Sequence, residues 1–368
     1  MSVNAASVSA GNALEVLSAA WDAQNAGGLT TSWMLHGRPG VGKTQLVQTL
    51  ARERGAELFD IRLTTIEPQD LRGLPYYDHT TKKTQWYRPE DLPDAPDQPA
   101  VLFLDELTAA SPYLQPTVYG LLQERRVGRH RLPDSVLIVA AGNTVEDGAV
   151  AYEMGTALSD RLVHLHVKAN PKDWLERYAV DHALHPAVTA FLRSRPDLLD
   201  STEEALRRGD MIACTPRSWE RVSQIMHAIS DRQVRSTMIA GTIGTAPAAD
   251  FVRVAEELDA MVTVADLLRT PRAKRLDLYP TSMNGLVGLI YGLVAQTDET
   301  TIQTTIEVMA DVRSLKNNEV APLPLGELTS FGFELLIRKA LANGLEDGFL
   351  QSAAYAEYTR DRAKAEAL

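Results

Sequence analysis

The stretch Gly37-Arg38-Pro39-Gly40-Val41-Gly42-Lys43-Thr44 constrains this chain more than any other feature, because it fits the eight-residue pattern G-x-x-x-x-G-K-[ST]. It lies between the apolar run Trp33 to His36 and a helical pattern from Thr44 to Arg54, the strand–loop–helix context that such a loop needs. The glycines let the backbone wrap closely around a polyphosphate, whose charge is met by successive N–H groups and by the helix N-terminus. Within the pattern, Lys43 is expected at the β- and γ-phosphates and Thr44 at Mg²⁺.

Four further apolar runs follow, Leu58 to Leu63, Val101 to Asp105, Val136 to Ala141 and Leu162 to Val167. Val101-Leu-Phe-Leu104 and Val136-Leu-Ile-Val-Ala-Ala141 are apolar at successive positions, as a strand covered on both faces requires. With helical stretches at Ala13 to Gln24, Thr44 to Arg54 and Pro112 to Gln123, the expectation is an α/β core with a five-stranded parallel sheet. Residues 65–99 interrupt the rhythm, and their middle reads as an inserted hairpin around the polar turn DHTTKK. Beyond Val167 the pattern is almost wholly helical. This predicts an α/β core over 1–168, a helical lid over 169–260 and a helical extension over 261–368.

Two strand ends add chemistry to the loop. Asp105-Glu106 places one carboxylate to support the Mg²⁺ shell, the metal then being held by Thr44 and, through water, by Asp105, and a second to polarise a water. Ala141-Gly142-Asn143 ends the next strand in a neutral amide that can orient the attacking water without adding negative charge.

In that order, the glycine loop, the DE-ended strand and the Asn-ended strand resemble an AAA+ ATPase core. More narrowly, GLLQERRVGRHRLPDSVLIVAAGNTVEDGAVAYEMGTALSDRL is similar to the MoxR group in its QER-V turn, Asn-ended strand, following Gly and Tyr, and small-x-x-D-R ending. The resemblance spans roughly residues 30–230; Thr144 stands where the group commonly has proline and Leu162 where it commonly has an aromatic. It implies ATP and Mg²⁺ as nucleotide and metal, Asn143 as sensor 1 and Arg161 as an arginine finger reaching the neighbouring subunit's γ-phosphate. It also implies that Arg217, in Thr215-Pro-Arg217, is a lid sensor arginine, although Thr-Pro is equally a good helix start. The run Gln69 to Gly73 with the hairpin after it, and the hairpin Arg126 to His130, resemble inserts that face the channel of a ring. Tyr76, Tyr77, Trp86 and Tyr87 then either grip a partner or pack the hairpin onto its own domain. Carried over whole, the resemblance implies a homo-oligomer, a hexameric ring, acting on a protein partner with a von Willebrand factor A-like domain.

Charge and composition prune the alternatives. A nucleic-acid-dependent motor of the McrB-like type, a branch that uses GTP, is a rival on the same core. The net charge of −11 argues against it, so the local cations Lys82, Lys83, Arg126 and Arg129 are where it has to be sought. Cys214 is the single cysteine, which excludes an internal disulfide and, with no signal-like N-terminus, suits a reducing cytoplasm. Gly285 to Ala295, the longest apolar run, is about half of the ~20 residues a membrane span needs and reads as a buried helix. His164 and His166 share a strand face without a third ligand and read as structural. Pro271-Arg-Ala-Lys274-Arg275 reads as a solvated basic end, and no nucleophile-elbow pattern supports a hydrolase triad.

Overall fold

The apolar runs come together as one parallel sheet in the computed structural model, which describes residues 4–144, 156–259, 264–315 and 322–366. In chain order the first unit holds β1 (Ser7–Val8), α1 (Ala10–Asn25), β2 (Ser32–His36), α2 (Lys43–Glu53), β3 (Glu57–Arg62) and α3 (Pro68–Arg72). The inserted hairpin β4 (Pro75–Asp78) and β5 (Lys83–Trp86) follows, then β6 (Ala100–Asp105), α4 (Gln115–Glu124) and a second hairpin, β7 (Arg126–Val127) and β8 (His130–Arg131). β9 (Val136–Gly142), α5 (Thr156–Ser159) and β10 (Leu162–Val167) complete it.

The main sheet runs β1-β10-β2-β9-β6-β3 with every pairing parallel. The five expected strands are present, and β1 adds a sixth at the edge, pairing Ser7 with His166 and Val8 with Val167. Two residues carry no periodicity, which is why this edge was invisible in the sequence. The continuous apolar runs are divided between two faces by the pleat. Trp33, Leu35, Val101, Phe103, Leu137 and Val139 pack beneath α1 and α2 with Leu17, Leu46, Val47 and Leu50. Met34, Leu102, Leu104, Ile138 and Ala140 pack on the other face with Leu114, Val118 and Leu121. Leu162, where an aromatic was the commoner choice, is buried in this second layer.

The insert folds as expected into an antiparallel pair, Pro75 opposite Trp86 through Asp78 opposite Lys83. Its turn is set by Asp78, whose Oδ1 accepts from Thr80 N at 2.8 Å and Thr81 N at 3.2 Å. Thr81 Oγ1, donating to Asp78 Oδ2 at 2.7 Å, and after it those two backbone bonds hold the Asp78 carboxyl below its usual range.

Residues from Pro171 to Leu368 form a second compact unit, and its described part is helical. The expected border between lid and extension falls within 260–263, outside the described residues. Met283–Ala295 is the buried helix that its apolar run predicted; Gly292 lets the Val264 side chain approach to where a Cβ would stand 2.7 Å from it. Its helices include the short Thr202–Arg208 and Val264–Arg269, and its C-terminal part forms two separate helices, Asp347–Leu350 and Ala353–Glu366. Ser352 begins the second of these, accepting from Tyr355 N with its hydroxyl.

The basic run at 271–275 is not a solvated end. Arg275 is buried, with Nε donating to Thr270 O at 2.6 Å and Nη1 to Glu307 at 2.9 Å, and Arg272 grips Asp311 through Nε and Nη2. Two of the three cations are thus structural, tying a pair of 3-10 turns (Arg272–Lys274 and Leu276–Leu278) onto the helix Ile302–Val312.

Candidate functional site

β2 lies between β9 and β10, while the strand that follows it in the chain, β3, sits at the far edge. The order therefore reverses at β2, and the crevice beyond the C-terminal ends of strands at such a reversal is where α/β sheets bind ligands. The glycine loop emerges there. Gly37 packs so closely on β10 that a Cβ would stand 2.4 Å from Val167 O, and Gly42, at φ 104°, caps α2 in a conformation that side chains resist. Six loop residues, Gly37, Arg38, Pro39, Gly40, Val41 and Gly42, thereby lead into Lys43 and Thr44 at the first turn of α2.

The Lys43 ammonium, buried at 8% exposure, donates to Gly37 O at 2.5 Å, to Arg38 O at 3.1 Å and to Asn143 Oδ1 at 3.0 Å. Thr44 Oγ1 donates to Asp105 Oδ2 at 3.1 Å, and Asp105 Oδ1 accepts from Glu106 N at 2.8 Å. Loop, DE-ended strand and Asn-ended strand are thus one connected cluster. Asn143 is held in turn, its carbonyl accepting from Thr108 Oγ1 at 2.9 Å.

Glu106 has a left-handed backbone, φ 59°, unusual for a residue with a side chain. Its carboxylate accepts a hydrogen bond from Thr64 Oγ1 and lies 3.8 Å from Arg62 Nε. The parallel register explains the meeting: Arg62 is opposite Asp105, so the residues just past β3 face those just past β6. Neither Thr64, Arg62 nor Thr108 was a candidate from the sequence. The available signal was the polar run directly after an apolar strand, which becomes informative only once β3 is known to neighbour β6. Nearby Asp60 has its carboxyl pushed up by burial first and by the Asp105 charge second.

Arg161 is brought to a different place. It directly precedes β10, whose Leu162 pairs with Ser32, five residues before Gly37. Arg161 is one residue further, so at about 3.3 Å per residue its backbone lies ~20 Å along the sheet from the phosphate loop, at the opposite ends of the strands. It is exposed, and its backbone N–H donates to Leu158 O at 3.1 Å. Arg217 belongs to the second unit, exposed in the first turn of the helix Pro216–Ala228, which Thr215 and Ser218 cap reciprocally. The expected Gly148 and Tyr152 lie outside the described residues.

The hairpin aromatics divide. Trp86 lies half-buried under the Arg72 guanidinium, 5.1 Å from the ring centre, whereas Tyr76, Tyr77 and Tyr87 are exposed, Tyr76 stacking on Tyr87 at 4.3 Å. Of the cations that a nucleic-acid reading would use, Arg126 is ion-paired to Glu124 at 2.7 Å.

The residues fit a nucleotide and its metal. The loop lies against β10 too closely at Gly37 for a side chain, it carries a buried ammonium bonded to its own carbonyls, and Thr44 and Asp105 offer the hard oxygen donors that Mg²⁺ takes. Among the described residues no cluster of three or more His, Cys, Asp or Glu is placed to hold a metal, and no helix is long and apolar enough to cross a membrane.

Residues 32–162 match the family model described as AAA domain (dynein-related subfamily), so this stretch is an AAA domain. Among curated proteins, a mouse protein named ATPase family gene 2 protein homolog B is 36% identical over 115 residues, covering 31% of this chain and 13% of its own length. The Bacillus subtilis protein YeaC is 30% identical over 118 residues, covering 31% of this chain and 35% of that protein. The chain therefore matches only about an eighth of the mouse relative and a third of the bacterial one. Similar solved structures include the Thermotoga maritima RuvB Holliday junction branch migration motor, at 15% identity and TM-score 0.37, covering 73% of this chain and 80% of that one. NtrX from Brucella abortus, at 15% identity and TM-score 0.32, covers 91% and 69%.

Proposed function

We propose that this chain, built around the AAA domain of residues 32–162, is a ring-forming, Mg²⁺-dependent ATP hydrolase of the MoxR type that couples hydrolysis to remodelling or activation of a protein partner. The reading rests on one observation: Lys43, Thr44, Asp105, Glu106 and Asn143 converge beyond the C-terminal ends of the strands while Arg161 stands at the N-terminal ends.

In this reading the loop amides and Lys43 hold the polyphosphate, Lys43 leaving the carbonyls of Gly37 and Arg38 to do so. Thr44 and Asp105 hold Mg²⁺, which when bound supplies charge neutralisation at the phosphate oxygens. Glu106 acts as general base on a water, a role it takes only after parting from Thr64. Asn143 orients that water with an uncharged amide. Arg161 is too far along β10 for its own site and is presented to the next subunit, where such a guanidinium is worth ~10³ to 10⁵ in rate. Residues 169–260 serve as the lid, with Arg217 as its sensor, and 261–368 as an extension. A hexameric ring and a partner with a von Willebrand factor A-like domain complete the proposal, for which the exposed Tyr76, Tyr77 and Tyr87 are a suitable grip.

The test is a mixing experiment. Lys43→Ala is expected to lose ATP binding, and Arg161→Ala to bind ATP normally but not turn it over. Mixed, the two inactive proteins should recover turnover, because each Arg161→Ala site can receive an intact guanidinium from a Lys43→Ala neighbour. No recovery at any ratio contradicts a shared site.

A further inference from the structure

Two histidines join the phosphate loop to the segment that carries Arg161. His36 is the last residue of β2 and directly precedes Gly37; His164 lies on the neighbouring strand β10, two residues after Leu162. Their rings meet edge to edge, with centroids 5.1 Å apart and planes 15° from parallel, and His36 Nε2 is 2.8 Å from His164 Nδ1. The other nitrogen of His164, Nε2, lies 2.8 Å from Ser159 O and 3.2 Å from Ser159 Oγ.

These contacts fix the proton positions. A backbone carbonyl only accepts, so His164 Nε2 carries hydrogen and donates to Ser159 O. In the neutral ring Nδ1 of His164 is then an acceptor, and the hydrogen between the two rings belongs to His36 Nε2. The result is a directional chain, from His36 to His164 to the carbonyl of Ser159. Ser159 ends the four-residue helix α5, two residues before Arg161, and Leu158 beside it is buried. One end of the chain therefore adjoins the first glycine of the loop, and the other holds the turn that leads into Arg161.

We propose that His36 and His164 form a positioning bridge that fixes the Ser159-Asp160-Arg161 turn relative to the phosphate loop of the same subunit. The place where Arg161 is offered to a neighbour is thereby set by the loop of the subunit that donates it. The inference rests on the proposed role of Arg161 in the adjoining site and adds to it a link between successive sites. His164 touches neither nucleotide nor metal in this account; it is a positioning residue and acts through the turn.

The test uses three variants of the full chain. His164→Leu removes both hydrogen bonds; His164→Asn keeps an acceptor near the Nδ1 position but cannot reach Ser159; His164→Gln returns a donor near the Nε2 position. The expected result is nucleotide affinity within about twofold of the parent for all three, with turnover lowered roughly tenfold in Leu and Asn and restored to within about threefold in Gln, the loss of one oriented hydrogen bond being worth about this much. Mixing His164→Leu or His164→Asn with Lys43→Ala should restore turnover, because the defect lies in the guanidinium that a subunit gives and not in the site that it holds. Unchanged turnover in Leu and Asn, or a defect that Lys43→Ala subunits do not relieve, overturns the bridge. The Arg161→Ala and Lys43→Ala mixture, run beside it, separates the two ideas. Recovery there with none for His164→Asn removes the bridge and leaves the shared site intact; no recovery in either removes both.

Discussion

At the scale of single residues, the candidate site is a set of polar groups satisfied by one another. Lys43 donates to two loop carbonyls and the Asn143 amide oxygen, and Glu106 accepts from Thr64. Glu106→Gln should therefore bind ATP as the parent does and lose turnover by about 10² to 10⁴, the usual contribution of a positioned base. Turnover and nucleotide affinity measured on the same preparation check this, and equal turnover in the variant and the parent contradicts the role. Cys214 gives a second residue-level prediction. It is fully buried, and burial pushes its thiol up from 9.0 to about 11. The folded state favours the protonated thiol, so its contribution to stability is complete below pH 9 and is lost as pH rises through 11. Alkylation at pH 8 should be slow in the native protein and fast once it is unfolded; rapid native labelling contradicts this placement.

At the scale of elements, what matters is how loops are pinned to neighbouring strands and helices. Gly37→Ala should abolish nucleotide binding, because its Cβ would stand 2.4 Å from Val167 O and the loop must leave β10 to admit it. Nucleotide titration tests this directly. In the second unit, Glu307→Ala leaves the buried Arg275 guanidinium short of one partner while Thr270 O still accepts from it. Since the Glu307 side chain is 38% exposed, the expected cost is modest, about 1–2 kcal/mol, visible as a lower denaturation midpoint. Elements whose signal is local were readable in the sequence: the doubly covered strands, α2 behind its glycine loop and the buried helix Met283–Ala295. β1 was not, having only two residues, and the basic run at 271–275 was misread because its carboxylate partners, Glu307 and Asp311, lie more than thirty residues away. The candidate site divides along the same line. Lys43, Thr44, Asp105, Glu106 and Asn143 follow from pattern and strand order, whereas Thr64, Arg62 and His36 reach their partners only through the register of β3 on β6 and of β10 on β2.

At the scale of the whole molecule, the account depends on geometry that one subunit cannot complete. The residues proposed to hold nucleotide gather beyond the C-terminal ends of the strands, and the backbone of the arginine expected to act on it stands ~20 Å away at the N-terminal ends. Turnover must then belong to an assembly. The direct measurement is ATP turnover per subunit across a dilution series, with molecular mass recorded at each concentration. The account predicts that per-subunit turnover falls in step with the loss of assembled species and is negligible where the mass is that of a monomer. Undiminished turnover by the monomer would contradict it.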